Sequence, residues 1–239
     1  MNASAGATAQ PEYLRATAAQ LLAHWAVYGS YYSARIGPEP DAPIENLRDR
    51  LEIAPREWPL SEVDAREPDL LVIMMNPGAS KPLQALWDGE NLGGLVPSQP
   101  DRTQYQIMRL LRAAQASGLP WRHARVFNLS DLRTPKSAEM LAKLNFYGPH
   151  DGHSLFSFVR QAECARWFAS HATPVLCGWG LNPGLSDLAA RALLAVAGHP
   201  ILGLSEDGLR FRHPLPQTQN LQQQWLLAMA DQIGAFSRT

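Results

Sequence analysis

Asn76, Pro77 and Gly78 follow directly on a run of apolar residues in the stretch "DLLVIMMNPGASKP" (69–82). A strand that ends on an amide, a ring-locked residue and a glycine can do chemistry at its tip. The Asn76 side chain can hold a water or a base edge, and Gly78 lets backbone N–H groups approach a ligand closely. Tight turning is the plainer account, because Asn and Gly tolerate positive φ and Pro presets a turn. Asn182-Pro183-Gly184 repeats the same triplet elsewhere in the chain.

Asn128 lies between Phe127 and Leu129 at the end of a second apolar run. A buried amide is costly unless paired, so Asn128 either closes backbone hydrogen bonds or presents a donor–acceptor edge to a ligand. Arg133, Thr134 and Lys136 follow closely and could meet a phosphate. His213 sits in "RFRHPLPQTQ" with no apolar face to join. A neutral imidazole there could donate to an oxygen developing negative charge. Arg210 and Arg212 alternate ahead of it and could face one anion, or only solvent.

Gly178 begins the "GxGxxxG" of "CGWGLNPG", which imitates half of a dinucleotide fingerprint ending at Glu206-Asp207. Too little chain follows for the rest of such a sheet, which weakens that reading. Asp101 reads as the N-cap of a helix. The glycine-rich 88–101 segment before it reads as a loop over the site. No Ser/His/Asp arrangement, His-x-x-x-His pair or P-loop lysine motif is present.

These residues need elements to position them. Spacing predicts a helix over 12–33, with the aromatics Trp25, Tyr28, Tyr31 and Tyr32 packing it onto the domain, and a short helix over 44–53. Between them, Pro38, Pro40 and Pro43 mark a loop. Strands are expected at 69–75, within 122–134 ending at Asn128, at 173–180 and, with a turn, within 199–214, and helices at 101–118, 153–171, 181–198 and 218–236. Strands alternating with helices imply an α/β fold, a three-layer αβα sandwich with a mainly parallel central sheet. In such sheets ligands bind beyond the strand C-termini. Asn76, Asn128, Gly178 and His213 all fall there and are expected to share one rim. The expected organisation is a disordered tail at 1–11 and a single domain at 12–239, with an N-terminal helical extension and a core at about 69–239.

Composition bounds the function classes. The 239-residue chain is 46% apolar with net charge −1, enough for a full core and without the overall charge of a dedicated nucleic-acid binder. Cys164 and Cys177 are the only cysteines and follow no metal-ligand spacing, so neither a metal nor a cofactor is expected. No apolar run approaches the roughly 20 residues of a membrane span, and the N-terminus lacks the marks of a signal peptide. A cytoplasmic protein is the expectation; nothing indicates an oligomeric state.

Two resemblances rest on these motifs. "IMMNPG", "DRTQYQIMRLL", "VFNLSDLRT", "CGWG" and "LGLSEDGLRFRHPL", in that order over about 69–216, are similar to an uncharacterised bacterial family known as domain of unknown function sixteen-forty-three. The chain departs from it in Gly78, often Ser there, and in a long insertion at 81–100. More distantly, "MMNPG", "VFNLSDLRTP", "CGWGLNPGLSDLAARALL" and "RHPLP" resemble the motif order of the uracil-DNA glycosylase superfamily. That likeness implies a glycosylase-like fold and a nucleobase or nucleotide pocket, with DNA as a partner and a hydrolase acting on an N-glycosidic bond. By that likeness Asn76 would position water and Asn128 would read the base edge. His213 would stabilise the departing base, and Pro77, Gly78, Gly178 and Arg212 would help bind the substrate. Leu215 replaces the serine of that superfamily's "HPSP" motif, Met75 stands where small or polar residues are usual, and Trp87 is the nearest aromatic for stacking. The alternative is a non-catalytic module that binds a nucleotide or phosphorylated metabolite on the same fold.

Overall fold

The computed structural model describes residues 10–37, 41–83, 94–148 and 150–236. The tail expected at 1–11 lies outside these except for Gln10 and Pro11, as do Trp87 and residues 88–93 of the loop expected at 88–101.

The uniformly apolar run forms β3 (Leu70–Met74), buried along its whole length. Residues Ala124–Asn128 form β6, equally buried, and pair with β3 in parallel from Leu70↔Ala124 to Met74↔Asn128. The other side of β3 takes β7 (Val175–Cys177), which in turn pairs with the short β8 (Ile201–Leu202), both in parallel.

The N-terminal third corrects the expected helices. Helix α1 spans only Ala18–His24, opened by a capping box between Thr17 and Gln20. The chain then runs straight into β1 (Trp25–Arg35) and returns as β2 (Ile44–Pro55), where helices were expected over 12–33 and 44–53. The two strands form an antiparallel ladder from Trp25↔Pro55 to Arg35↔Ile44, with a bulge at Ser30/Tyr31. Trp25, Val27 and Tyr31 alternate into the interior, and β-branched and aromatic residues fit such a surface better than a helix. The sheet therefore starts at residue 25, not 69. On the outer side of β1 lie β5 (Leu95–Gln99), within the expected loop, and β4 (Lys81–Pro82).

The sheet order is β4-β5-β1-β2-β6-β3-β7-β8. It is mixed, not mainly parallel: β4, β5, β1 and β2 are antiparallel, and β2 joins the parallel half by an antiparallel pairing with β6. Apolar side chains leave β3 alternately to two cores. Leu70, Val72 and Met74 meet α1, α3 (Arg102–Ala116) and α7 (Gln219–Phe236) on one face. Leu71 and Ile73 meet α5 (Gln161–Trp167) and α6 (Ser186–Ala195) on the other. Two further helices, α2 (Leu60–Ala65) and α4 (Ser137–Tyr147), lie in segments where none was expected.

The helix expected over 153–171 is reduced to α5 and a preceding 3-10 turn at Phe158–Arg160. Serines divert the backbone: Ser154 Oγ accepts from Phe156 N–H, and Ser130 Oγ bonds His153 Nδ1 at 2.9 Å. Phe158 is 86% exposed.

The interior of β2 carries charges. Glu52 is fully buried and held by His123 Nε2 at 2.8 Å and by Arg125 Nε at 2.6 Å. The guanidinium groups of Arg50 and Arg125 each lie 4.8 Å from the Trp167 ring centre. With both faces of β2 covered, these groups survive burial by pairing with one another. No helix among the described residues is long and apolar enough to cross a membrane.

Candidate functional site

After β3 the chain contributes β4 and β5 to the far edge of the sheet, forms α3 over one face and returns as β6 beside β3. It then crosses to the opposite face before entering β7 on the other side. The two crossings diverge above the C-terminal ends of β3 and β6, which is where an open α/β sheet leaves a crevice. A cavity of about 400 Å³ lies there, within the range of roughly 300–1,000 Å³ typical of small-molecule sites. Its floor is made of fully buried residues, Arg48 from β2, Asn128 from β6, Ile107 from α3 and Thr134. Its mouth carries exposed Ala79, Arg102, Pro135 and Ser137.

Asn76, Pro77, Gly78, Asn128 and His213 all line this cavity. Asn76 Nδ2 donates to the Thr134 carbonyl at 2.8 Å, to Thr134 Oγ1 at 3.1 Å and to the Leu132 carbonyl at 3.3 Å. Those acceptors fix the orientation of the amide and leave Oδ1 as its unspent end. Gly78 has φ +65, which a side chain would strain, and a Cβ there would stand 3.3 Å from Asp101 Oδ2.

Asn128 is 0% exposed, and neither Nδ2 nor Oδ1 has a hydrogen-bond partner among the described residues. The sequence allowed for backbone closure by this amide; the structure assigns it none. His213 Nδ1 accepts from Leu215 N–H at 3.0 Å, which makes Nε2 the protonated nitrogen and the ring's remaining polar atom. Burial lowers the His213 pKa below the ordinary histidine value, against an opposing pull from Asp101, so the ring is neutral at pH 7.

Two more groups share the walls. Asp101 is the N-cap expected of it: Oδ1 accepts from Thr103 N–H at 2.8 Å and Gln104 N–H at 3.3 Å. It also lines the cavity, as the sole carboxylate among the lining residues. Arg48 is 1% exposed, and its Nε and Nη1 lack hydrogen-bond partners among the described residues. Its side-chain neighbour is the Tyr31 hydroxyl, which itself donates a hydrogen bond to Ser98 Oγ at 2.9 Å. Burial pushes the Arg48 pKa below the ordinary arginine value, opposed by Tyr31 and Asp101.

Gly178 and Arg212 are not part of this lining. Gly178 lets β7 end against the loop that carries His213: a Cβ there would stand 2.9 Å from Pro214 Cδ and 3.3 Å from Met74 Sδ. Its contribution is close packing. Arg212 points to solvent and pairs with Glu206 at 2.6 Å, while Arg210 pairs with Asp207 at 2.6 Å. The two arginines expected to share an anion thus take separate carboxylates. Asp207 also accepts from Leu209 and Arg210 N–H groups, which accounts for the acidic end of the apparent dinucleotide fingerprint. Of the phosphate candidates, Thr134 reaches the cavity. Arg133 instead stacks over Tyr31 at 5.2 Å and donates to the Ser80 carbonyl, and Lys136 is exposed. Among the described residues no group of three His, Cys, Asp or Glu is placed to hold a metal ion.

Arg48 is the residue sequence reasoning missed, because "IENLRDRLEI" was read as helix. Leu51 and Ile53 alternate with Arg50 and Glu52 there, and that period of two was the available signal. Comparison with family models, with curated proteins and with solved structures found no match for this chain. Function has to be read from the site's own geometry.

Proposed function

We propose that the cavity takes a nucleobase in the manner of the uracil-DNA glycosylase superfamily, on an αβα scaffold of that type. The unpartnered Asn128 amide carries this reading. It presents a donor and an acceptor on one planar group at the floor of a cavity, complementary to the N–H and C=O edge of a base. A buried amide of this kind is expensive unless a ligand completes it.

The remaining groups suit hydrolysis of an N-glycosidic bond. Asn76 Oδ1 holds a water at the mouth side of the base. As the water's oxygen bonds to the sugar carbon, the carbon–nitrogen bond breaks and its electron pair passes to the base. His213 Nε2–H donates to the base oxygen that gains this charge, as a neutral imidazole can. The water's proton passes to Asp101, whose Oδ2 lies beside Gly78 and is not used in the helix cap.

Binding without cleavage is the second reading, of a nucleotide or phosphorylated metabolite on the same rim. An amide rather than a carboxylate at position 76, and Leu215 in place of a hydroxyl-bearing residue, favour it. Thermal shift with uracil, nucleotides and short uracil- or mismatch-containing DNA separates the two, with Asn76→Ala and His213→Ala alongside. Stabilisation lost in both variants, with abasic-site formation that Asp101→Asn abolishes, is the expected result for the glycosylase. Stabilisation without base release supports the binding module. If no nucleobase, nucleotide or DNA shifts the melting temperature, the glycosylase reading and the nucleotide form of the binding reading are both wrong.

A further inference from the structure

Arg48 has no place in the glycosylase scheme, yet it is the most unusual group in the cavity. It is 1% exposed, it lines the same floor as Asn128, and Nε and Nη1 have no partner. A guanidinium is charged at any ordinary pH, so burial does not silence it. The charged and titratable groups around it are Tyr31, Asp101, Asp131 and Arg133. The Tyr31 hydroxyl already accepts from it. Asp131 is bound to Arg160 and Tyr32, its Oδ2 accepting from both; its backbone carbonyl accepts the Arg48 N–H at 2.9 Å, and its charge acts on the guanidinium through space. Asp101 tempers the charge through space, but its Oδ1 is committed to the α3 cap and neither carboxylate oxygen bonds Nε or Nη1. Arg133 adds a second positive charge nearby. The first turn of α3, a 15-residue helix, places its positive end in the same wall.

We propose that the floor of this cavity is an anion subsite, and that the natural ligand is a small molecule with a base-like edge for Asn128 and one terminal anionic group, a phosphate monoester or a carboxylate, for Arg48. This rests on reading the cavity as a nucleobase site, and it replaces DNA with a free nucleotide or base derivative as the ligand, so abasic-site formation in DNA would count against it. Arg48 and Asn128 come from β2 and β6, which are adjacent strands about 4.8 Å apart, so one molecule spans both. The depth of Arg48 selects the source of the charge. A terminal phosphate or carboxylate can enter a closed floor. A phosphodiester continues into chain on both sides and stays at the mouth, so a DNA backbone cannot supply this group.

Matched pairs that differ by one anionic group test this by titration calorimetry: uridine against uridine monophosphate, uracil against uracil-6-carboxylate, and inorganic phosphate alone. In the wild-type protein, one anionic member of a pair is expected to bind more tightly than its neutral partner by about tenfold or more, roughly 1.4 kcal/mol, with the advantage shrinking in high salt. Which pair shows it identifies phosphate or carboxylate. Arg48→Gln is expected to bring the ratio within that pair to about one, while Asn128→Leu weakens both members. The wild-type ratios stand even where Arg48→Gln does not fold. Equal affinities within both pairs overturn the anion subsite and leave the nucleobase reading intact. Anion binding that needs Arg48 but ignores Asn128→Leu keeps the subsite and removes the nucleobase. Uracil-containing DNA bound more tightly than every small molecule overturns the claim that the ligand is small.

Discussion

Replacing Asn128 with leucine is expected to make the protein more stable and to end ligand binding. The side chain is fully buried at the end of β6, its two polar atoms have no partner, and its floor neighbours Ile107 and Val126 are apolar. An unpaired amide in such surroundings costs about 1–3 kcal/mol by mutational measure. Leucine keeps the branching and the heavy-atom count and carries no polar atom, and the cavity beside position 128 can take its bulkier methyl groups, so about 2 kcal/mol should be recovered. For a chain of this size each kcal/mol moves the melting temperature by about 2–4 °C, so a rise of about 4–8 °C is expected. Thermal unfolding and urea midpoints, measured without ligand, read it directly. Asn128→Ala is the control, since it removes the amide but opens a cavity and should gain little. A fall of more than about 1 kcal/mol on Asn128→Leu would refute the reasoning. It would mean that the folded protein satisfies this amide itself, and the case for a waiting base edge would go with it. A stability gain at the cost of binding is the pattern of a group retained for function.

Other expectations follow from the same geometry. Gly178→Ala drives a Cβ to 2.9 Å from Pro214 and should cost about 1–3 kcal/mol by overpacking, while weakening ligand affinity through displacement of His213; calorimetry on the folded variant checks the second effect. Glu52→Ala leaves His123 and Arg125 without their shared carboxylate and should destabilise by about 3–5 kcal/mol in urea unfolding. Burial pushes the His153 pKa down to about 4, so the folded state resists a proton that the unfolded chain accepts near pH 6.5. Its contribution is complete above pH 6.5 and is lost as pH falls toward 4, by about 3 kcal/mol. The stability difference between wild type and His153→Asn should shrink by that amount between pH 7 and pH 4, and an unchanged difference would place the imidazole in a more solvated setting. Nitrogen NMR should show His213 as the neutral Nε2–H tautomer at pH 7, with its protonation midpoint below the ordinary histidine value.

Sequence by itself determined the parallel half of the sheet and the rim above it. The run at 69–75 had to be buried on both faces, and the Asp101 cap had to start α3. Short connections and the rule for open sheets then placed Asn76, Gly78, Asn128 and His213 together before any coordinate was known. Each of those inferences used information local to its segment. Tertiary structure decided the rest. Ile44, Leu47 and Leu51 fit a helical spacing as well as Leu51 and Ile53 fit a strand, and local pattern could not choose between them. The ladder with β1 chose, and it turned two expected helices into strands of the antiparallel half. Burial of Glu52 depends on His123 and Arg125, about seventy residues away, so a charged segment that reads as surface ends inside the sheet. Arg48 rode into the cavity on that strand. Gly178 and Arg212 went the other way, because proximity to a strand end in sequence does not say which way a side chain points once Pro214 and Glu206 occupy the space beside it. Burial is a property of contacts made between distant segments, and no reading of one segment at a time contains it.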